Sequence, residues 1–131
     1  MELNYLAILA ATAISFGLGG LWYSPALFGK AWMRETGITE ESARHRNMAK
    51  IFALAILATL IMAFNLAAFL GPERTLATGT LYGFLAGAGW VAMAFAVNDL
   101  FEGRSLKLFA INAGYQVVSF TLMGAVIGVW H

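Results

Sequence analysis

The chain has 131 residues, of which 60% are hydrophobic and only 11% are charged, and its mean hydropathy is +0.74. A soluble domain carries about 25% charged residues, so this chain could not cover a water-facing surface. The net charge of +1 gives no attraction for nucleic acid, and the absence of cysteine excludes disulfides and thiolate-bound metals. We therefore expect the lipid bilayer to be the main partner, with no nucleic acid.

The charged residues are clustered, and long charge-free runs lie between the clusters. The four runs cover residues 3–29, 51–72, 75–98 and 108–130. About 20 apolar helical residues cross a hydrocarbon core of roughly 30 Å. The sequence therefore predicts an all-α, integral membrane four-helix transmembrane bundle, with spans at about residues 3–23, 50–70, 75–97 and 106–130. These spans use most of the chain, so residues 1–131 are predicted to form a single membrane domain.

Span 1 ends in a segment that is typical of a helix meeting a membrane surface. Ser24-Pro25 predicts a turn, because proline disfavours helical backbone at the preceding residue and suits the first position of a new helix. With Ser24 as its N-cap, a short amphipathic helix is predicted at about residues 25–36, ending at Gly37 and lying in the interface. The residues expected at the two interfaces are Trp22, Tyr23, Ser24, Pro25, Trp32 and Trp130.

Between this short helix and Gly71-Pro72, the sequence predicts one long helix over about residues 40–70. Thr39 is its expected N-cap, followed by two acidic residues in the first turn, where the helix dipole favours negative charge. Since no helix breaker follows, this helix is expected to begin in water and to enter the bilayer near Lys50. The two remaining connections are predicted at residues 71–74 and 98–105.

Small residues recur at spacings of three and four within the spans. This spacing puts them on one helix face, where they let a neighbouring helix approach closely. Span 3 carries two consecutive G-x-x-x-G units, which predict a principal packing seam within the subunit or between subunits, and a homo-oligomer is expected from the stripes left over. The glycines assigned to helix packing are Gly17, Gly20, Gly79, Gly83, Gly87, Gly124 and Gly128.

The basic residues lie almost entirely on one side of the predicted membrane. Five lie in the connection between spans 1 and 2 and two in the connection between spans 3 and 4, whereas Arg74 stands alone on the opposite side. The positive-inside rule then places both basic connections in the cytoplasm and both termini outside. The predicted location is the bacterial inner (plasma) membrane, with a multi-pass topology.

No ionisable side chain lies inside a predicted span, which disfavours a proton-coupled carrier. Neutral polar groups from all four spans fall near one depth, counted from the cytoplasmic ends. We expect these groups to meet inside the bundle, because an unpaired polar group in hydrocarbon costs several kcal/mol. They are either sites of helix–helix adhesion or the lining of a small polar pocket or water-filled path. The predicted cluster comprises Ser15, Thr59, Trp90, Asn112, Gln116 and Ser119.

Several segments resemble an uncharacterised family of small bacterial four-span membrane proteins, the domain of unknown function 1761. These are Asn4-Tyr5, the run from Leu21-Trp22-Tyr23-Ser24-Pro25 to Leu27-Phe28-Gly29-Lys30-Ala31-Trp32, and Ile111-Asn112-Ala113-Gly114-Tyr115. The Trp-Tyr-Ser-Pro segment is the most specific part of the resemblance, which covers the whole chain. It implies the four-span fold and supplies no activity, cofactor or catalytic residue.

Three functions stay open at this point. The favoured hypothesis is a non-enzymatic helix-bundle or accessory membrane protein that self-associates. The second is a channel or carrier for a small neutral or weakly polar solute, using the polar level of the four spans. The third is a membrane enzyme on apolar substrates, similar in layout to the four-span glutathione-dependent trimers. This last hypothesis lacks the buried arginine and acid constellation of those enzymes. No catalytic residue, cofactor or metal site is assigned.

Overall fold

A computed structural model describes residues 3–130 of the chain, and these residues form helices without any strand. The helices are α1 (Tyr5–Trp22), α2 (Gly29–Thr36), α3 (Glu40–Arg44), α4 (Met48–Leu70), α5 (Leu76–Ala86), a π-helical turn (Gly87–Val91), α6 (Ala92–Glu102) and α7 (Leu106–Val129). Four stretches are long and apolar enough to cross a membrane: α1, α4, Leu76–Glu102 and α7. They are called spans 1 to 4 below. The predicted all-α fold with four membrane-spanning helices is confirmed.

Spans 3 and 4 form the most extensive helix pair, and their backbones touch. A Cβ atom added at Gly79 would overlap the carbonyl oxygen of Gly124, and one added at Gly83 would overlap the carbonyl oxygen of Phe120. A Cβ atom at Gly128 would likewise meet the backbone of span 3. Since no side chain fits along this line, the predicted glycine seam lies within the chain.

The π-helical turn keeps span 3 in contact with span 4 beyond the glycine stripe. The buried residues of span 3 are Gly79, Gly83, Gly87 and Ala92, so the last step is five residues long instead of four. The backbone N–H of Ala92 donates to the carbonyl of Gly87, the i→i+5 bond of a π turn. Because the turn accommodates one extra residue, Ala92 rather than Val91 returns to the face against span 4.

The hydrophobic core lies in one half of the bundle. It is built by spans 1, 2 and 4 and comprises Ala7, Ile8, Ala11, Ala63, Leu66, Ala67, Phe120, Met123 and Ile127. These residues are near the terminal end, which is the end that holds Asn4, Gly71-Pro72 and Trp130. At the opposite end, called the basic end because it carries α2 and α3, no residue of span 2 before Thr59 is buried. Near this end span 2 contacts span 1 through the rings of Phe16 and Phe52, which are 6.1 Å apart, but it buries no residue.

Arg74 closes the terminal end of the bundle. Its guanidinium donates to the carbonyl oxygens of Ile127 at 2.7 Å and of Gly71 and Trp130, each at 3.0 Å. The last four carbonyls of a helix lack partners within that helix, and a basic side chain there also complements the helix dipole. Although charged, Arg74 is only 7% exposed. From the sequence, Arg74 was interpreted only as a positive charge on one side of the membrane.

The predicted continuous helix over residues 40–70 is wrong. The chain forms α3, which ends at Arg44, and then α4, which begins at Met48. Between them Asn47 acts as an N-cap, and its side chain accepts from the backbone N–H of Lys50 at 3.1 Å. Asparagine breaks a helix this way because its side chain competes for backbone donors. The predicted N-cap of the first part, Thr39, is confirmed.

The predicted start of the short interfacial helix is also wrong, whereas its end at Gly37 is confirmed. Ser24 is not its N-cap, because its hydroxyl donates backwards to the carbonyl of Leu21 at 2.7 Å. Pro25 lies in the turn that follows, and α2 begins only at Gly29. A Cβ atom at Gly29 would meet the backbone of Ser24 at 2.8 Å, so the turn and the helix are packed against each other.

Span 3 is longer than predicted. Its helix continues to Glu102 and ends at Gly103, which has a φ of 70°. Asn98 and Asp99, predicted to lie in a connection, are therefore helical. Charge marks where a helix leaves the hydrocarbon, whereas a helix ends only where the backbone requires it, here at a left-handed glycine.

Gly83→Ala should destabilise the bundle, because the added methyl group would overlap the carbonyl of Phe120 and force spans 3 and 4 apart. Overpacking typically costs about 1–3 kcal/mol, which thermal unfolding in detergent would detect as a lower midpoint by circular dichroism. Gly17→Ala is the matched control, since nothing lies within 4 Å of its added Cβ atom. Equal midpoints for the two variants would contradict the packed seam.

Candidate functional site: a polar and aromatic cluster between spans 1 and 4

Two buried serines join spans 1 and 4. Ser15 and Ser119 are each 1% exposed, and their hydroxyl oxygens are 2.6 Å apart. The hydroxyl of Tyr115 lies 3.2 Å from that of Ser15 and donates to the carbonyl oxygen of Ser15 at 2.9 Å. Gly19 leaves the space for this tyrosine, because a Cβ atom there would be 3.2 Å from the Tyr115 oxygen. The three hydroxyls thus bind one another across the helix interface.

The aromatic pair at the end of span 1 continues this contact. The indole N–H of Trp22 donates to the carbonyl of Ile111 at 2.9 Å, and the hydroxyl of Tyr23 donates to Oδ1 of Asn112 at 2.7 Å. Gly114 admits the Trp22 ring, since a Cβ atom there would lie 3.3 Å from it. These residues therefore hold span 1 against span 4.

Helix α2 and the turn before it cover the cluster at the basic end. The ring of Phe28 lies 4.9 Å from that of Trp22, and the ring of Trp32 lies 5.9 Å from that of Tyr23. Glu35 at the end of α2 accepts a hydrogen bond from Ser105, the N-cap of span 4.

Tyr23 directly follows span 1, and burial, together with the nearby Tyr115, raises its pKa, so that its hydroxyl stays protonated and donates.

The aromatic and amide part of this cluster comes from two of the segments that carried the family resemblance, residues 21–32 and 111–115, whereas Ser15 and Ser119 lie outside them. Residues 6–128 match the family described as protein of unknown function (DUF1761). The chain belongs to the DUF1761 family. No curated protein and no solved structure matches it. Membership confirms the resemblance, and it assigns no activity to this DUF1761 protein.

The predicted polar level of four helices is not formed in the DUF1761 chain. Ser15, Ser119 and Asn112 do take part in contacts between spans 1 and 4. Thr59 is buried but donates to Ala55 of its own helix at 2.8 Å, as threonine often does when it faces its own preceding turn. The amide of Gln116 is half-buried and makes no hydrogen bond to any described residue. The cluster therefore belongs to two spans.

Trp90 was expected inside the bundle, and this expectation is wrong. Its side chain is 66% exposed, and its ring packs on Phe69 of span 2 with 6.1 Å between centroids. In a regular α-helix, Trp90 would share a face with Gly87, three residues before it. The π-helical turn that contains both residues rotates Trp90 away from span 4.

The assigned packing glycines divide into two groups. The five in spans 3 and 4 lie at the seam described above, whereas Gly17 and Gly20 of span 1 have nothing within 4 Å of an added Cβ atom. The latter pair therefore makes no helix contact within the chain. Trp130 is 41% exposed at the end of span 4, and its carbonyl accepts from Arg74.

Sequence reasoning missed Tyr115, which was quoted only as part of the family segment. A signal for it was present, because Tyr115 falls three residues after Asn112 and four before Ser119. Residues at these spacings lie on one helix face. An aromatic hydroxyl on the polar face of a span would have been a candidate by the same argument as its neighbours.

A second polar feature lies at the basic end. Oδ2 of Asp99 is buried without a hydrogen-bond partner among residues 3–130. Asp99 lines a cavity of about 390 Å³ together with Arg104 and Ser105, while Arg104 pairs with Glu102 at 3.8 Å. A carboxylate in such a cavity can accept hydrogen bonds from a small polar solute. In the described part of the chain, no group of acidic or histidine side chains is suited to hold a metal ion.

We expect Ser15→Ala and Ser119→Ala to have non-additive effects on stability, because each variant removes the same bond. Membrane double-mutant cycles give about 0.6 kcal/mol for such bonds, with a maximum near 1.7 kcal/mol. Unfolding free energies of the four proteins of the cycle, measured in mixed micelles, would give the coupling energy. Ser15→Ala combined with Thr121→Ala is the control, since Thr121 binds only its own helix. Zero coupling between the two serines would refute their bond.

Proposed function

We propose that this protein is a non-enzymatic helix-bundle protein of the membrane, whose polar groups hold helices together and which acts by self-association. The observation that carries the proposal is the direct contact between the Ser15 and Ser119 hydroxyls, both nearly fully buried. Groups that line a path must be free to bind water or solute. Here the hydroxyls are occupied by each other and by Tyr115.

The proposed location is the bacterial inner membrane, with the basic end in the cytoplasm and both termini outside. Seven of the eight basic residues of the chain lie at the basic end, in its connections, in α2 and α3, or in the first turns of spans 2 and 4, as the positive-inside rule requires of a cytoplasmic face. The eighth, Arg74, is buried against helix carbonyls and presents little charge to solvent. This burial strengthens the asymmetry on which the proposed orientation rests.

Self-association is supported by helix faces that have no partner within the chain. Gly17 and Gly20 lie open on span 1, and Trp90 is exposed near the middle of span 3. In a bilayer, helices associate through small residues and hydrogen bonds. The hydrophobic effect does not drive this association, because an apolar side chain is as well accommodated by lipid as by another helix. Faces with either feature are therefore suited to contacts between subunits.

The mass of the protein in detergent tests self-association directly. One chain has a mass of 14.1 kDa, so mass measurement by light scattering, corrected for bound detergent, should give at least twice this value. Native mass spectrometry of the same sample would identify any co-purifying molecule. A single chain at all protein concentrations would contradict the proposal.

The carrier hypothesis keeps one supporting observation, the cavity beside Asp99. It requires that water reach from this cavity to the level of the serines. Because the chain has no cysteine, a single introduced thiol can report on this. In membranes, Ser119→Cys should resist a water-soluble maleimide, while Ser42→Cys, on the exposed helix α3, should react fully. Rapid labelling at position 119 would favour the carrier and contradict a dry cluster.

A further inference from the structure

The outer surface between spans 2 and 3 carries two polar side chains at membrane depth. We call the surface formed by Asn65, Phe69, Tyr82 and Trp90 the Asn65–Trp90 face. The ring of Phe69 lies 6.1 Å from that of Trp90 and 6.3 Å from that of Tyr82, so the patch is continuous across the two spans. Asn65 and Trp90 are both exposed.

Both polar residues of this face have unused hydrogen-bonding groups. The indole N–H of Trp90 has no acceptor among residues 3–130, whereas the indole of Trp22 is bonded. Asn65 donates one amide proton to the carbonyl of Ile61 at 2.8 Å, and its Oδ1 accepts from no described residue. Hydrocarbon supplies neither donors nor acceptors, and an unsatisfied group there costs several kcal/mol. A protein partner on this face would remove that cost.

The two groups lie at similar depth. Trp90 is near the middle of Leu76–Glu102, and its ring meets that of Phe69. Asn65 is one helical turn, about 6 Å of helix rise, further from the terminal end than Phe69. The Asn65 amide is therefore displaced from the Phe69 ring toward the membrane centre, where Trp90 lies. A twofold axis along the membrane normal keeps every residue at its own depth, so groups at a common depth can meet across it.

The face can therefore pair with a copy of itself, since the Trp90 indole offers a donor and the Asn65 carbonyl an acceptor, beside the Tyr82 hydroxyl, which can act as either. In a twofold contact, residue i of one copy meets residue j of the other, and j meets i. We propose that the Asn65–Trp90 face is the interface between two copies of this chain, with the Trp90 indole of each copy donating to the Asn65 carbonyl of the other. This inference rests on the proposed self-association and gives it a location.

The π-helical turn is a second observation for this face. It rotates Trp90 from the neighbourhood of span 4 to the outer surface, and π turns inside α-helices occur frequently at functional sites. The other open face, around Gly17 and Gly20, offers small residues and no unsatisfied polar group. It is the competing interface in the test.

Two variants, each of which removes one partner, test the hydrogen bond. Trp90→Phe keeps an aromatic ring against Phe69 and removes the N–H, and Asn65→Leu keeps the size and removes the carbonyl. Each dimer loses two equivalent bonds, so each variant should raise the dissociation constant about tenfold. Energy transfer between copies labelled at Ser42→Cys in phosphatidylcholine vesicles would measure it. The control, Gly17→Leu, should leave the dissociation constant unchanged.

Cross-linking gives a measurement that does not depend on these variants folding equally well. One copy carrying Asn65→Cys and a second, differently tagged copy carrying Trp90→Cys should form a disulfide with each other when membranes that contain both are oxidised. The product then carries both tags. Copies carrying Gly17→Cys should not cross-link with one another. Cross-linking at position 17 together with none between positions 65 and 90 would overturn the interface.

The outcomes separate the two proposals. Energy transfer that is present in the wild type but unchanged by Trp90→Phe and Asn65→Leu would refute the Asn65–Trp90 interface and leave self-association standing. Absence of energy transfer in the wild type at every protein-to-lipid ratio would refute self-association, and the interface with it. A tenfold weakening by both variants, with the expected cross-link, would establish the interface.

Discussion

Hydrocarbon provides no hydrogen-bond partner, and this constraint explains where the polar side chains of the spans are found. The Thr59 hydroxyl donates a hydrogen bond to a carbonyl of its own helix, the Ser15 and Ser119 hydroxyls bind each other, and Arg74 binds the last carbonyls of span 4. Each arrangement satisfies a group that would otherwise cost several kcal/mol. The Gln116 amide and the Trp90 indole make no such bond within the described residues, and of the two only Trp90 is exposed on the outer surface.

Close contact between spans 3 and 4 is the second condition of the fold. The glycines let two backbones touch, so the seam depends on dispersion contacts and not on the exclusion of water. Such a seam has to follow one line along both helices. A stripe at intervals of four residues drifts around a helix of 3.6 residues per turn, and the π turn at Gly87–Val91 adds the residue that brings Ala92 back to the line.

The two ends of the bundle are held in different ways. The terminal end has the hydrophobic core and the Arg74 cap, whereas the basic end is held by aromatic and polar contacts of Trp22 and Tyr23 with span 4. Helix α2 lies over these contacts, and span 2 has no buried residue before Thr59. The Trp-Tyr-Ser-Pro segment thus connects span 1 with span 4 and with α2.

Patterns that depend on one helix at a time were readable from the sequence alone. Charge-free length predicted four spans because hydrocarbon thickness fixes the number of apolar residues required. Gly37 and Thr39 were correctly read as helix ends, since capping involves only neighbouring residues. The glycine spacing predicted a seam in the same way. The helix break at Asn47 was not predicted, because only glycine and proline were treated as helix-breaking residues.

Only the tertiary structure decided which helix faces meet. The sequence placed polar groups of four spans at one depth, but depth does not fix rotation about a helix axis, and the bonds formed join spans 1 and 4 alone. It placed Trp90 inside the bundle, because a polar group in hydrocarbon was expected to find a partner there, whereas the side chain lies exposed within the π turn. The spacing of small residues looks the same at Gly17 and at Gly83, yet only Gly83 touches another helix of the chain. That choice depends on how all four spans pack together, which no local pattern contains.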